Sequence, residues 1–208
     1  MTTGTGHPHD ITDAATQPML LDRFAPRFDF SAVEHVVVDA PVDATYQAAR
    51  HLDLLTVNSR LTDAAFWVRG LPERLRKHVP PRRPTRLTLD DLDAGGDAVL
   101  LGEQPGREVV FGAVGRFWTP VVRWRDIAPD EFVAFEEPGL GKIAAAYSVR
   151  PYGEHRSLLS YEARTILDDP MTRRWFGWYW ATVSPVIRAI MRATLRAAKR
   201  AAESTTRG

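Results

Sequence analysis

The chain has 208 residues, 44% hydrophobic and 25% charged, with 27 basic residues against 26 acidic ones and a formal net charge of +1. That length can bury one sizeable core, and the composition is that of a soluble globular domain. The balanced charge argues against nucleic acid or an anionic membrane as partner, and the lack of cysteine excludes disulfides, thiolate metal sites and cysteine nucleophiles.

Residues 1–17 are rich in Thr, Gly, His, Pro and Asp and nearly devoid of apolar side chains. Such a segment cannot offset its ordering entropy, so residues 1–19 are expected to form a disordered tail. His7 and His9 are read as tail histidines rather than a metal pair. The N-terminus has no apolar run of signal-peptide type, and the expected address is the cytoplasm. Leu20, Leu21, Phe24, Phe28 and Phe30 mark a lead-in segment that packs on the domain. From Glu34 the pattern predicts a strand through Val36–Val38 that ends at Asp39. A helix follows at once, with Pro41 suited to its first position and Val42, Tyr46 and Ala49 on one face.

Residues 54–77 read as helical in one or two pieces, punctuated by Gly70 and Pro72. Three prolines make residues 78–86 a loop. Its Arg82, Arg83 and Arg86 are read as solvated rather than as an anion site. Thr88 and Asp91 fit a capping box on a very short helix before Gly95-Gly96. Strands are expected at 98–102 and 108–114 around a Gln104-Pro105-Gly106 turn, then irregularly at 116–124. Residues 129–135 fit either a short helix or a strand. A clear hairpin pairs 142–150 with 157–167 across Pro151-Tyr152-Gly153-Glu154. The last element is a helix from about Met171 to Ala202, opened by Asp168-Asp169-Pro170. One face carries Trp175, Phe176, Tyr179, Val183 and Ile187, and the opposite face carries Arg188, Arg192, Arg196 and Lys199. Pro185 should kink or break it. Residues 20–203 are therefore taken as one domain, with 204–208 as a second disordered tail.

Strand, helical region, many strands and a long closing helix is an order with a precedent. The segment DAPVDATYQAAR, the strand-rich middle and the closing helix resemble the START-like (SRPBCC) proteins. Those include polyketide cyclases, lipid-transfer START domains and birch-pollen-allergen-like proteins. PGREVVFGAVGRFW, FVAFEEPGLGK, LLSYEARTILDD and RRWFGWYWATVSPVIR resemble a bacterial branch of that superfamily. The resemblance spans about Phe28 to Glu203. It implies an α+β helix-grip fold, with a curved antiparallel sheet wrapped around the C-terminal helix and a cavity between them. It implies no single activity, since members bind, carry, cyclise or hydrolyse.

Within such a cavity the candidate ligand contacts are Phe111, Arg116, Trp118, Lys142, Tyr147, Tyr161, Glu162, Arg164, Tyr179 and Trp180. The further aromatic supply includes Phe66, Trp67, Trp175 and Trp178. On strand 157–167, Glu162 and Arg164 share a face with Leu158, Ser160 and Ile166, while Tyr161 shares the other with Leu159, Ala163, Thr165 and Leu167. Both faces carry apolar residues, so alternation leaves the inside unassigned. If the Glu162 face is inside, that pair becomes a polar patch in an apolar hole and a candidate acid or base. If not, it is an exposed cross-strand pair. Lys142 is read as a surface lysine before a nucleophile. Arg116 and Trp118 are placed at an entrance. No GxSxG, HExxH or Gly-rich phosphate loop occurs, and no cofactor or metal is expected.

Three functions are carried forward. The first is binding of a hydrophobic small molecule of lipid, polyketide or isoprenoid type. The second is a cyclase or aromatase using Glu162, Arg164 or a tyrosine. The third is an interaction module docking through the basic face of the closing helix. Neither nucleic acid nor integral membrane association is expected, and a monomer and a homodimer both stay open.

Overall fold

The computed structural model describes residues 18–52, 98–119 and 122–206. The readings of His7 and His9, of the helical 54–77 with Phe66 and Trp67, of the loop with Arg82, Arg83 and Arg86, of the Thr88–Asp91 box and of Pro120 lie outside the described residues. In chain order the elements are α1 (Leu20–Phe24), β1 (Phe30–Val38), α2 (Val42–Arg50), β2 (Val99–Gln104), β3 (Glu108–Arg116), β4 (Arg123–Arg125), β5 (Gly141–Pro151), β6 (Ser157–Leu167) and α3 (Pro170–Thr206). All strand pairings are antiparallel, in the order β1-β6-β5-β3-β2, with β4 added beside β3. With α3 as its long final element, this curved sheet has the helix-grip form expected from the sequence.

Local chemistry sets the turns and ends. The β2–β3 and β5–β6 turns each use a glycine in the left-handed region, Gly106 at φ 76° and Gly153 at φ 75°. Asp169 caps α3: its carboxylate accepts the backbone N–H of Thr172 at 2.8 Å, and Pro170 fills the first helical position. Those hydrogen bonds hold the Asp169 carboxyl below its ordinary range. Pro185 does not break α3, which is continuous through it and extends past the expected domain end to Thr206. Residues 129–134 form turns, neither the helix nor the strand that the sequence allows.

Both faces of the sheet are covered. On the inner face, Val38, Val109, Tyr147, Val149 and Leu159 pack against Tyr46 and Ala49 of α2 and Leu195, Ala198 and Ala202 of α3. Nearer the start of α3, Phe30, Ile143 and Leu167 meet Phe117, Phe176, Tyr179 and Trp180. On the outer face, Leu101, Val110, Val114, Ala144 and Ala146 lie beneath Leu21, Phe24 and Ala25 of the lead-in segment and beneath Phe132 from the 129–134 turns. Phe132 is fully buried because Gly112 leaves room for its ring: a Cβ there would lie 2.7 Å from it. The lead-in segment is held by Glu108, whose buried carboxylate accepts the backbone N–H groups of Leu20 and Leu21 at 2.5 and 2.9 Å. Burial outweighs those two bonds and pushes the Glu108 carboxyl above its ordinary range.

Candidate functional site

The antiparallel register brings inner-face side chains into rows that cross the sheet. One row runs Glu34, Tyr161, Tyr147, Val109, Glu103 from β1 to β2. The next runs Ala32, Ala163, Ala145, Phe111, Leu100. The alanines are short, so the second row is a trough between the tyrosine row and the aromatic group around Phe176. The main neighbours of α3 are β1 and α2, which leaves the floor on β5 and β3 less tightly covered. Phe111, Ala113, Ile143, Tyr161 and Ala163 remain partly accessible although they lie on interior strands of the sheet.

The tyrosine row has carboxylates at both ends and phenols in the middle. Glu34 pairs with Arg188 and Arg192 of α3 at 3.3 and 3.1 Å. Glu103 accepts the Tyr46 hydroxyl and pairs with Arg50 at 3.1 Å. Burial, then the Glu103 carboxylate, holds the Tyr46 phenol above its ordinary range. Between them, the rings of Tyr147 and Tyr161 lie 4.5 Å apart, and Phe111 lies 5.8 and 6.3 Å from the two rings. Burial raises both phenols, so the pair is neutral and keeps its protons.

At the other end of the trough, Phe176 is the hub. Phe30, Phe117, Trp118, Tyr179 and Trp180 surround it at centroid distances of 4.9 to 6.0 Å. Trp118, Tyr179 and Trp180 are thus brought together on the inner face, with Phe111, Tyr147 and Tyr161 on the same face further along. Trp175 and Trp178 are not among them. They point outward, 67% and 75% exposed, and line a shallow surface groove with Met171 and Arg174.

The charged candidates lie on the opposite face. Glu162 and Arg164 are on the outer face, which removes them from the space under α3. Arg164 donates to Glu162 at 2.7 Å, and to Asp22 and the Ala25 carbonyl at 2.8 Å each, with Phe28 stacked 4.8 Å from its guanidinium. It fastens the lead-in segment to β6. Lys142 is buried rather than a surface lysine. Its ammonium donates to the carbonyls of Val133 and Phe135 at 3.1 and 2.7 Å, so it ties the 129–135 stretch to β5. Arg116 donates to the Gly139 carbonyl at 3.0 Å on the same outer side. One sequence signal pointed this way. Leu20, Leu21, Phe24, Phe132 and Phe135 all sit in short or irregular segments that need an apolar surface, and only a second covered sheet face supplies it.

Sequence reasoning missed Glu34 and Glu103, which end the polar row. It also missed that three cations of α3's basic face are paired: Arg188 and Arg192 go to Glu34, and Lys199 goes to Glu203 at 2.6 Å. Arg173 pairs with Asp29 at 2.7 Å. Among the described residues there is no cluster able to hold a metal, and no helix is long and apolar enough to cross a membrane.

No family model and no curated protein matches the chain. Among solved structures, it is similar to the di-domain aromatase/cyclase BexL of the BE-7585A biosynthetic pathway, at 16% identity and a TM-score of 0.37 over 86% of this chain. It spans about half of that protein, 48% of its length. It is also similar to the Zhui aromatase/cyclase from Streptomyces sp. R1128, at 13% identity and a TM-score of 0.33, over 84% of this chain and 93% of that one. A hypothetical protein from Helicobacter pylori matches at 12% identity and a TM-score of 0.36, over 97% and 96% of the two chains. The likeness is in the backbone arrangement alone.

Proposed function

We propose that the chain binds a hydrophobic small molecule, of lipid, polyketide or isoprenoid type, between the inner face of the sheet and α3. The observation that carries this reading is the trough of Ala32, Ala163 and Ala145. On its floor Ala163 stays partly accessible while Ala32 and Ala145 are buried, and the trough lies between Phe111, Tyr147 and Tyr161 on one side and the Phe176 group on the other. A concave, largely aromatic lining with few polar groups suits such ligands. The catalytic alternative, a cyclase or aromatase, loses Glu162 and Arg164 as inner-face groups and keeps only the two tyrosines. Docking through the basic face of α3 is weakened because Arg188, Arg192 and Lys199 are already engaged.

The test is native mass spectrometry of gently purified protein, with organic extraction of whatever is released. A defined hydrophobic compound at near-stoichiometric load supports the proposal. Protein that is empty, and that stays empty after incubation with a panel of fatty acids, polycyclic aromatics and isoprenoid alcohols, overturns it.

A further inference from the structure

The outward side of α3 changes character along its length. Met171, Trp175, Trp178, Thr182 and Val186 recur at helical spacing on one stripe, and all five are exposed. No charged residue occurs from Trp175 to Ile187. The outward side of a surface helix is ordinarily polar. Thr182 does not supply that polarity, since its hydroxyl donates back into the helix, to the Trp178 carbonyl at 3.2 Å. From Met171 to Val186 the stripe spans roughly 22 Å. Single exposed apolar residues are ordinary, but a contiguous stripe with two outward indoles marks a docking surface. The groove between Met171, Arg174, Trp175 and Trp178 holds about 200 Å³, too little to enclose a small-molecule ligand.

The charges that flank this stripe are of one sign. Arg174 stands beside the indoles, and Arg196 and Arg200 continue the same side toward the C-terminus, all three exposed. None of the three has an acid partner among the described residues, unlike Arg188, Arg192 and Lys199. The nearest acids in sequence, Asp168 and Asp169, precede the helix, and Asp169 is engaged by Thr172. We propose that this side of α3 docks the chain on a phospholipid bilayer, with Trp175 and Trp178 at headgroup level and the three arginines against lipid phosphates. An indole suits that level because its body is apolar and its N–H is a donor. Guanidinium forks match phosphate oxygens. Most of the driving force is apolar burial, so the chain's balanced net charge does not oppose docking. A second copy of the chain fits less well, because the groove packed on itself would set Arg174 against another cation rather than an acid. This surface goes beyond the binding function proposed above and does not depend on it. Phe176, Tyr179 and Trp180 leave the same turns on the opposite side, so docking holds the aromatic end of the trough one helix diameter, about 10 Å, from the bilayer.

The test is flotation of the full chain with vesicles of phosphatidylcholine, alone or mixed with phosphatidylglycerol. The native chain should float with both, and bind about tenfold more tightly to the anionic mixture at low salt. W175S/W178S should weaken binding to both by about tenfold or more. R174Q/R196Q/R200Q should remove the preference for the anionic mixture and leave binding to phosphatidylcholine unchanged. All five side chains are exposed, and circular dichroism checks that each variant has folded; the arginine variant carries the test if the tryptophan variant has not. A native chain that floats with neither vesicle, or a tryptophan variant that floats as well as the native chain, overturns the assignment. Self-association of the native chain in analytical ultracentrifugation that W175S/W178S abolishes overturns it too and gives the stripe to a second copy. None of these outcomes bears on the trough, whose ligand is decided by its own mass-spectrometric assay.

Discussion

Glu34, in the middle of β1, lies 3.1 Å from Arg192 on α3 and joins the first strand to the last helix. Arg188 reaches the same carboxylate at 3.3 Å. The pair is partly exposed, so its contribution is modest, about 1 kcal/mol or less for each contact. Glu34→Gln should lower the midpoint of thermal unfolding by a few degrees, and the loss should shrink in high salt as screening weakens the native pairs. A salt-independent difference would mean that the carboxylate acts through packing instead.

Lys142 predicts a different outcome. Its ammonium is buried and serves two carbonyls of one turn region. Lys142→Met removes a charge but leaves both carbonyls unpaired, which should cost about 1–3 kcal/mol. The first visible effect should be local, with limited proteolysis cutting within 129–137 before the rest of the chain. A variant as resistant as the native chain would show that the turn is held by Phe132 alone.

A third expectation concerns the trough. Ala163 is partly accessible, between Ala32 and Ala145 in its row. Ala163→Leu should fill space rather than overpack, changing stability by about 1 kcal/mol or less while reducing ligand uptake by tenfold or more. Unchanged uptake measured by the same mass-spectrometric assay would place the ligand elsewhere. A large loss of stability would show that the trough is already filled.

Glu108 gives stability a pH dependence. Its folded-state carboxyl is raised by burial, so the folded chain holds that proton after the unfolded chain has released it. With fewer protons bound in the unfolded state, stability falls as pH rises through the folded-state range. The difference in melting temperature between the native chain and Glu108→Gln should therefore shift against the native chain as pH rises from below the ordinary carboxyl range toward neutrality. A difference independent of pH, or one of opposite sign, would contradict this.

The elements of the fold were legible where local chemistry is strong. Pro151 to Glu154 with Gly153 reads as a turn because nothing else suits those residues, and the apolar spacing of α3 is long enough to be unambiguous. The inside of β6 was not legible. Leu158 and Ile166 on one face and Leu159 and Leu167 on the other carry the same hydrophobic signal, because α1 and the 129–134 turns bury the outer face almost as well as α3 buries the inner one. Phe111, Tyr147 and Tyr161 lie on the inner face by register, which the sequence left unassigned for Tyr161, while Trp175 and Trp178 point outward. The charged candidates misled for a physical reason: Arg164 and Lys142 are buried by serving loop carbonyls, a need that is invisible until the loops have a place. Glu34 could not be singled out, since only the register sets it beside Tyr161.

The paired cations of α3 have a consequence for how copies of this chain meet. Arg188 donates to the Val33 carbonyl at 3.1 Å, and Lys199 donates to the Val37 carbonyl at 2.7 Å. Both carbonyls belong to β1, which among the described residues has a strand partner on one side only. An open strand margin invites a second strand to add to it, and here two long side chains already occupy its acceptors. A chain in which both positions were shortened would keep its core and its trough. It would expose a bare row of β-branched residues and free carbonyls, and slow self-association into extended sheets would follow. The closing helix is thus also a guard rail that keeps a half-finished sheet from being completed by a neighbour.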